Sequence, residues 1–234
     1  MDLAGIDLVI FDKDGTLIDF HAMWSGWAET LIDDLEVATG RDVRSPLLQA
    51  LGYDPVTRRA RVGGGLISTP MARLRDLTID VVESAGATRS EAEAALAVAW
   101  HAPDPVALAH PLTDLVTFFG ALRATGRRIA IATSDDREPT LRTLSALGID
   151  AMIDAVVCAD DGPANKPAPD PVLYLCRRLD VPPRRTAVVG DSPADIEMGR
   201  AAGAGLVIGV RTGVGSDADL SDADVIVDSV ASLI

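Results

Sequence analysis

The apolar run Ile6–Phe11 stops at Asp12, and no second strand-like segment follows until Arg128. A short apolar stretch closed by a carboxylate reads as a buried strand. Its backbone donors and acceptors need partners, so it must join a sheet built from residues much later in the chain. Those residues are present. The helix Thr113–Thr125 ends at Gly126 and the strand Arg128–Ala132 follows directly. A further helix ends at Gly148, ahead of the strand Ala155–Cys158. The helix from Asp170-Pro171 to Leu179 precedes the strand Thr186–Gly190, and the helix Pro193–Ala202 leads to the strands Gly205–Val210 and Asp224–Val227. Strands alternating with helices in this way predict βαβ units and a mostly parallel sheet.

Between the first strand and that sheet the pattern is helical. Trp24, Trp27, Ala28, Leu31, Leu35 and Ala38 recur at three- and four-residue spacing, with Gly40 as a terminator. The passage Thr57–Ser68, with Gly63, Gly64 and Gly65, reads as a loop. Thr69-Pro70 opens a helix that runs to about Gly86, and Ser90-Glu91 starts another that ends near Trp100. The expected fold class is therefore α/β: a doubly wound, mostly parallel, Rossmann-like sheet carrying an inserted all-helical domain. Residues 1–19 and 106–234 form the expected core and residues 20–105 the insertion.

Composition narrows the partners. The chain has 234 residues, of which 48% are apolar but only 4% aromatic, suited to a core of Ala, Val, Leu and Ile. A net charge of −14 argues against nucleic acid, whose phosphates demand a basic face. No long uncharged apolar stretch predicts a membrane span, and Met1–Gly5 lacks the basic and apolar regions of a signal peptide. A cytoplasmic protein, monomer or homodimer, is the expectation. Cys158 and Cys176 match no metal-ligand spacing and read as reduced core residues. Of 21 basic residues only Lys13 and Lys166 are lysine. A compact ammonium suits a tight phosphate or carboxylate site better than a broad guanidinium does.

Ligands of open parallel sheets bind beyond the carboxyl ends of the strands. Those ends carry Asp12 and Asp14, then Thr133 and Ser134, then Asp160 and Asp161, then Asp191 with Asp195, and Lys166 lies in a loop between them. Any one of these aspartates could serve as a loop or helix-capping residue. As a set on one edge they would repel each other unless a cation sat among them. Oxygen ligands without a His/Cys cluster point to Mg2+.

The segment Phe11-Asp12-Lys13-Asp14-Gly15-Thr16-Leu17 resembles the first signature of the haloacid dehalogenase superfamily in its phosphatase form. The strand ending at Thr133 resembles the second, Lys166 before Pro167 the third, and Gly190-Asp191-Ser192-Pro193-Ala194-Asp195 the fourth. The insertion is similar to the cap domain of phosphoglycolate phosphatase-like members. The resemblance implies a Mg2+-dependent phosphatase acting on a small phosphorylated metabolite, with phosphoglycolate as the candidate. It makes Asp12 the nucleophile that becomes an aspartyl-phosphate, and Asp14 the acid and base. Asp12, Asp14 (through its carbonyl), Asp191 and Asp195 would hold the metal. Thr133, Ser134, Lys166 and the turn at Gly15 would hold the phosphoryl oxygens.

Lys13 stands where the superfamily usually has an apolar residue; it could contact substrate or a cap carboxylate, or serve only as a local ion-pair partner. Arg58, Arg59, Arg61, Arg73 and Arg75 form the densest cationic run. They could recognise a carboxylate or second phosphate, or pair on a solvated face with Asp54, Asp76 and Asp80. Two other readings compete with the phosphatase: a phosphomutase acting on a sugar phosphate, and a phospho-accepting receiver module of signalling type.

Overall fold

The computed structural model describes residues 3–162 and 164–234, apart from the side chains of Ser68 and Ala72. Met1 and Asp2, part of the N-terminal stretch read above, lie outside the described residues. In chain order the elements are β1 (Leu8–Phe11), α1 (Phe20–Thr39), α2 (Arg44–Leu51), β2 (Tyr53–Asp54), β3 (Arg59–Ala60), α3 (Gly65–Ser68), α4 (Met71–Ser84) and α5 (Arg89–Ala99). There follow α6 (Leu115–Ala124), β4 (Arg128–Ala132), α7 (Arg137–Ala146), β5 (Ala155–Val157), α8 (Asp170–Arg178), β6 (Thr186–Gly190), α9 (Pro193–Ala201), β7 (Leu206–Val210) and β8 (Val225–Val227). The chain splits into two compact units, the segment through Phe20 with Pro105–Ile234, and His21–Asp104.

In the first unit six strands form one sheet in the order β5-β4-β1-β6-β7-β8, every pair parallel. The N-terminal strand is therefore central: Phe11 lies between Ile131 of β4 and Val189 of β6. Alternate residues supply two separate cores. Val9, Phe11, Ile129, Ile131 and Val189 pack toward α6, while Leu8, Ile10, Ala130, Ala132 and Val188 pack toward α8 and Met198 of α9. Strands buried on both faces read as unbroken apolar runs, which is why these segments stand out in the sequence. Phe11 meets Phe118 and Phe119 of α6 with ring centroids 5.7 and 5.5 Å apart. The residue just before Asp12 is thus wedged by two aromatic rings. Asp114 caps α6 by accepting the Thr117 N–H at 3.1 Å.

The second unit is mainly helical. Trp27 packs edge-on against Trp24 and Trp100 and donates its indole N–H to the His101 carbonyl at 2.6 Å. Both tryptophans of α1 are therefore core residues, as their spacing suggests. The segment read as one loop, Thr57–Ser68, instead contains β3 and α3, and β3 pairs antiparallel with β2. Strands of two residues leave no alternation to detect. What makes the hairpin is local: Asp54 accepts the N–H of Val56 at 2.9 Å and of Thr57 at 3.3 Å. Thr88, ahead of Ser90, is the true cap of α5, with Glu91 completing a capping box.

Phe119 is fully buried in the core beneath β1. Phe119→Ala is expected to cost ~3–5 kcal/mol, measured by urea unfolding; a loss below ~1 kcal/mol would show that this aromatic wedge does not anchor β1.

Candidate active site

Connections run from β1 toward β4 on one side, and the chain later crosses to β6 on the other. The crevice at such a reversal is where ligands of open α/β sheets bind. Asp12 follows β1 and Asp191 follows β6, so the sheet order alone sets these two carboxylates side by side. Asp195, on the first turn of α9, completes the group: the carboxylate oxygens of Asp12, Asp191 and Asp195 lie within 4.8 Å of one another. Lys166 joins two of them, donating to Asp12 Oδ1 at 2.5 Å and Asp195 Oδ1 at 2.7 Å. Asp195 Oδ2 accepts from the Ser192 N–H and hydroxyl, which fixes it to the helix cap.

Asp191 has no cationic partner among the described residues. Its oxygens accept from the Thr16 hydroxyl at 3.0 Å and the Val214 N–H at 2.9 Å. Burial, then Asp12 and Asp195, hold its pKa well above the ordinary carboxylate value, opposed by those two donors. Burial likewise raises Asp12 to about 6; Lys166 pulls it down, while Asp195 and Asp14 push it up. Burial alone would lower the Lys166 ammonium, but Asp12 and Asp195 outweigh it and leave it raised. Three crowded carboxylates share a single ammonium among the described residues. An all-oxygen donor set of this kind fits a hard divalent cation.

The backbone makes room for this crowding. A Cβ on Gly213 would lie 1.9 Å from Asp191 Oδ2, and one on Gly15, whose φ is +86°, would lie 2.4 Å from the same atom. Only glycine fits at either position. The Gly15 N–H donates to the Ile18 carbonyl at 2.7 Å, so it is used inside the turn and does not face a ligand. Gly15 therefore contributes space and the turn geometry that sets the loop after Asp12.

Asp14 stands apart from the carboxylate triplet. Its Oδ2 is 2.7 Å from Lys13 Nζ, which also lies 3.1 Å from Asp135 Oδ2. Lys13 is thus the local ion-pair partner of two carboxylates, and it is buried. Burial raises the Asp14 pKa, with Lys13 opposing. Thr133 is buried at the end of β4, and its hydroxyl accepts the Asp135 N–H at 3.1 Å. Ser134 beside it is half-buried.

Asp160 and Asp161 do not join the site. Asp161 pairs with Arg137 and accepts the Cys158 N–H, and Asp160 accepts the Arg137 N–H at 2.9 Å. Their strand, β5, is at the sheet edge with β4 between it and β1. The expected arginine partners also differ: Arg58 pairs with Glu29, Asp80 with Arg89, and Asp54 holds its own turn. Both cysteines are free and buried. Sequence reasoning missed Asp135, Thr16 and Gly213. Thr16 lies inside the first motif and Gly213 in a glycine-bearing stretch after a strand, so the signals were present.

Comparison with known proteins agrees with this geometry. The family model for haloacid dehalogenase-like hydrolases matches residues 6–203. A Rhodospirillum rubrum protein named phosphoglycolate phosphatase is 33% identical over 201 residues, covering 86% of this chain and 78% of its own. A crystal structure titled a predicted phosphoglycolate phosphatase, from Haemophilus somnus 129pt, superposes with a TM-score of 0.68 at 20% identity, covering 99% of this chain and 98% of that one. A β-phosphoglucomutase from Clostridium difficile superposes with a TM-score of 0.64 at 19% identity, covering 98% and 93%. With the sheet order, the carboxylates at its switch point and the matched family model in agreement, the chain belongs to the haloacid dehalogenase-like hydrolases.

Proposed function

We propose that this phosphoric monoester hydrolase cleaves a small phosphate ester, phosphoglycolate being the first candidate, through a covalent intermediate on Asp12 and with the help of Mg2+. The observation that carries the reading is the state of Asp12. Lys166 holds its Oδ1 at 2.5 Å, leaving Oδ2 without a hydrogen-bond partner among the described residues. A carboxylate needs no separate base to act as a nucleophile, so Oδ2 can attack phosphorus directly. The ester oxygen leaves with a proton from Asp14, and an aspartyl-phosphate remains. Asp14 then takes a proton from a water that attacks this intermediate, which releases phosphate and restores Asp12. Lys166, Thr133 and Ser134 bind the phosphoryl oxygens and stabilise the charge that builds on them.

Asp12, Asp191 and Asp195 would hold Mg2+, with the Asp14 carbonyl as a further ligand. When bound, the cation supplies positive charge that offsets the carboxylates and the incoming phosphate. The substrate assignment rests on the Rhodospirillum rubrum relative, whose name is phosphoglycolate phosphatase. A phosphomutase is the second reading, favoured by the fold shared with β-phosphoglucomutase. A mutase would pass the phosphoryl group to a bound sugar phosphate and not to water, so release of inorganic phosphate separates the two.

Phosphate release from a panel of small esters is expected to need Mg2+, to stop with EDTA, and to fall to background in Asp12→Asn. Persistent release by folded Asp12→Asn would end the covalent reading. Phosphoglycolate is expected to give the highest kcat/KM of the panel.

Metal binding is expected to depend on pH. The Asp12 pKa is raised to about 6, so the metal-free protein keeps a proton there at mildly acidic pH. Mg2+ must displace that proton, and its affinity therefore increases as pH rises through about 6. The increase in Tm on adding Mg2+ should thus be larger at about pH 8 than at about pH 5. Equal shifts at both pH values would remove these carboxylates as the metal site.

A further inference from the structure

Lys13 has no role in the reaction as described, yet its ammonium is buried and placed between two carboxylates from different loops. We infer that Lys13 is a positioning residue that ties the acid Asp14 to Asp135, so that one oxygen of Asp14 is held and the other is presented to the leaving group. The inference rests on the reading of Asp14 as the acid.

The geometry supports each link. Lys13 Nζ lies 2.7 Å from Asp14 Oδ2 and 3.1 Å from Asp135 Oδ2. Asp135 is itself fixed, because its N–H donates to the Thr133 hydroxyl at 3.1 Å and its carbonyl accepts the Ala159 N–H at 2.9 Å. The Lys13 backbone is held equally firmly, its carbonyl accepting from Leu17 and Ile18 at 2.9 and 3.1 Å. Lys13 Nζ meets its two carboxylates as ion-pair contacts without hydrogen-bond geometry, and Asp14 Oδ1 is buried with neither an ion-pair nor a hydrogen-bond partner among the described residues. A buried oxygen without a partner is costly unless a ligand supplies one. The leaving oxygen of a phosphate ester, receiving a proton from Asp14, would be such a ligand. Lys13 therefore spans the ends of β1 and β4 and sets the direction of the acid relative to Thr133. An apolar residue at position 13 could fill the space but could not hold a carboxylate.

The consequence is specific to the leaving group. An alkyl ester leaves as a strongly basic alkoxide and needs the proton; p-nitrophenyl phosphate leaves as a weakly basic phenolate and does not. The parameter kcat/KM reports steps up to and including departure of that group. In Lys13→Met, kcat/KM for an alkyl phosphate should fall by about ten-fold or more beyond any fall for p-nitrophenyl phosphate, within the range typical of acid catalysis. Asp135→Asn should give the same pattern with a smaller ratio, because Lys13 keeps Asp14 but loses its anchor. If Lys13→Met does not fold, Lys13→Met/Asp135→Asn removes one of the carboxylates left without a cation, and the same ratio is read on it. Asp14→Asn is the control. If it shows the leaving-group pattern and the Lys13 and Asp135 variants lose both substrates equally or neither, the Lys13 assignment is overturned. If Asp14→Asn itself shows no such pattern, the acid reading fails and the inference falls with it.

Discussion

Mutual repulsion among buried carboxylates is the constraint that the core of this protein is arranged around. Asp12, Asp191 and Asp195 approach within 4.8 Å, and Asp14 and Asp135 stand nearby around Lys13. Carboxylates out of water do not remain ionised together without cations. The protein supplies only two ammonium groups, and both are lysines in a chain whose other basic residues are arginines. Lys166 serves the Asp12–Asp195 side and Lys13 the Asp14–Asp135 side. Each ammonium bridges two carboxylates, a task for a compact charge on a flexible stem. Asp191 is left with neutral donors only among the described residues, and burial beside two other carboxylates holds its pKa well above the ordinary value.

Holding the carboxylates this close also depends on what is absent. Gly15 and Gly213 leave the volume that Asp191 occupies, and a Cβ on Gly190 would lie 2.2 Å from the Asp195 Cβ. The aromatic pair on α6 acts from the other end, wedging Phe11 so that Asp12 begins from a fixed point. Side chains can be positioned this tightly because they start from strand ends and a helix cap, not from free loops.

The sheet was legible in the sequence because its strands are buried on both faces and appear as continuous apolar runs; each boundary was met within a residue or two. The carboxylate cluster was legible because Asp12 and Asp191 follow those runs and Asp195 lies on the helix that starts just beyond the second, so placing these elements brought the three together. What sequence reading lost depended on sheet order. Asp160 and Asp161 also follow a strand, but β5 takes an edge place, and nothing local in the sequence encodes that. The β2–β3 hairpin was lost because two-residue strands have no period. The burial of Lys13 was lost because the chain leaves strand geometry immediately after Phe11, and alternation no longer says where a side chain points.

The central place of β1 also sets an order of events for a chain emerging from the ribosome. Leu8 takes Arg128 and Thr186 as its neighbours, so β1 waits for partners that lie far along the chain, one on each flank. Until β6 has been synthesised, its apolar residues lack one flank of the sheet, and closing so long a loop is slow. The helical unit His21–Asp104 is complete well before that. Because Asp191 and Asp195 lie beyond β6, a chain cut short before them cannot assemble the carboxylate cluster. Asp12 precedes the other members of the cluster in the chain, but it gains their company only once β6 and the start of α9 have been made.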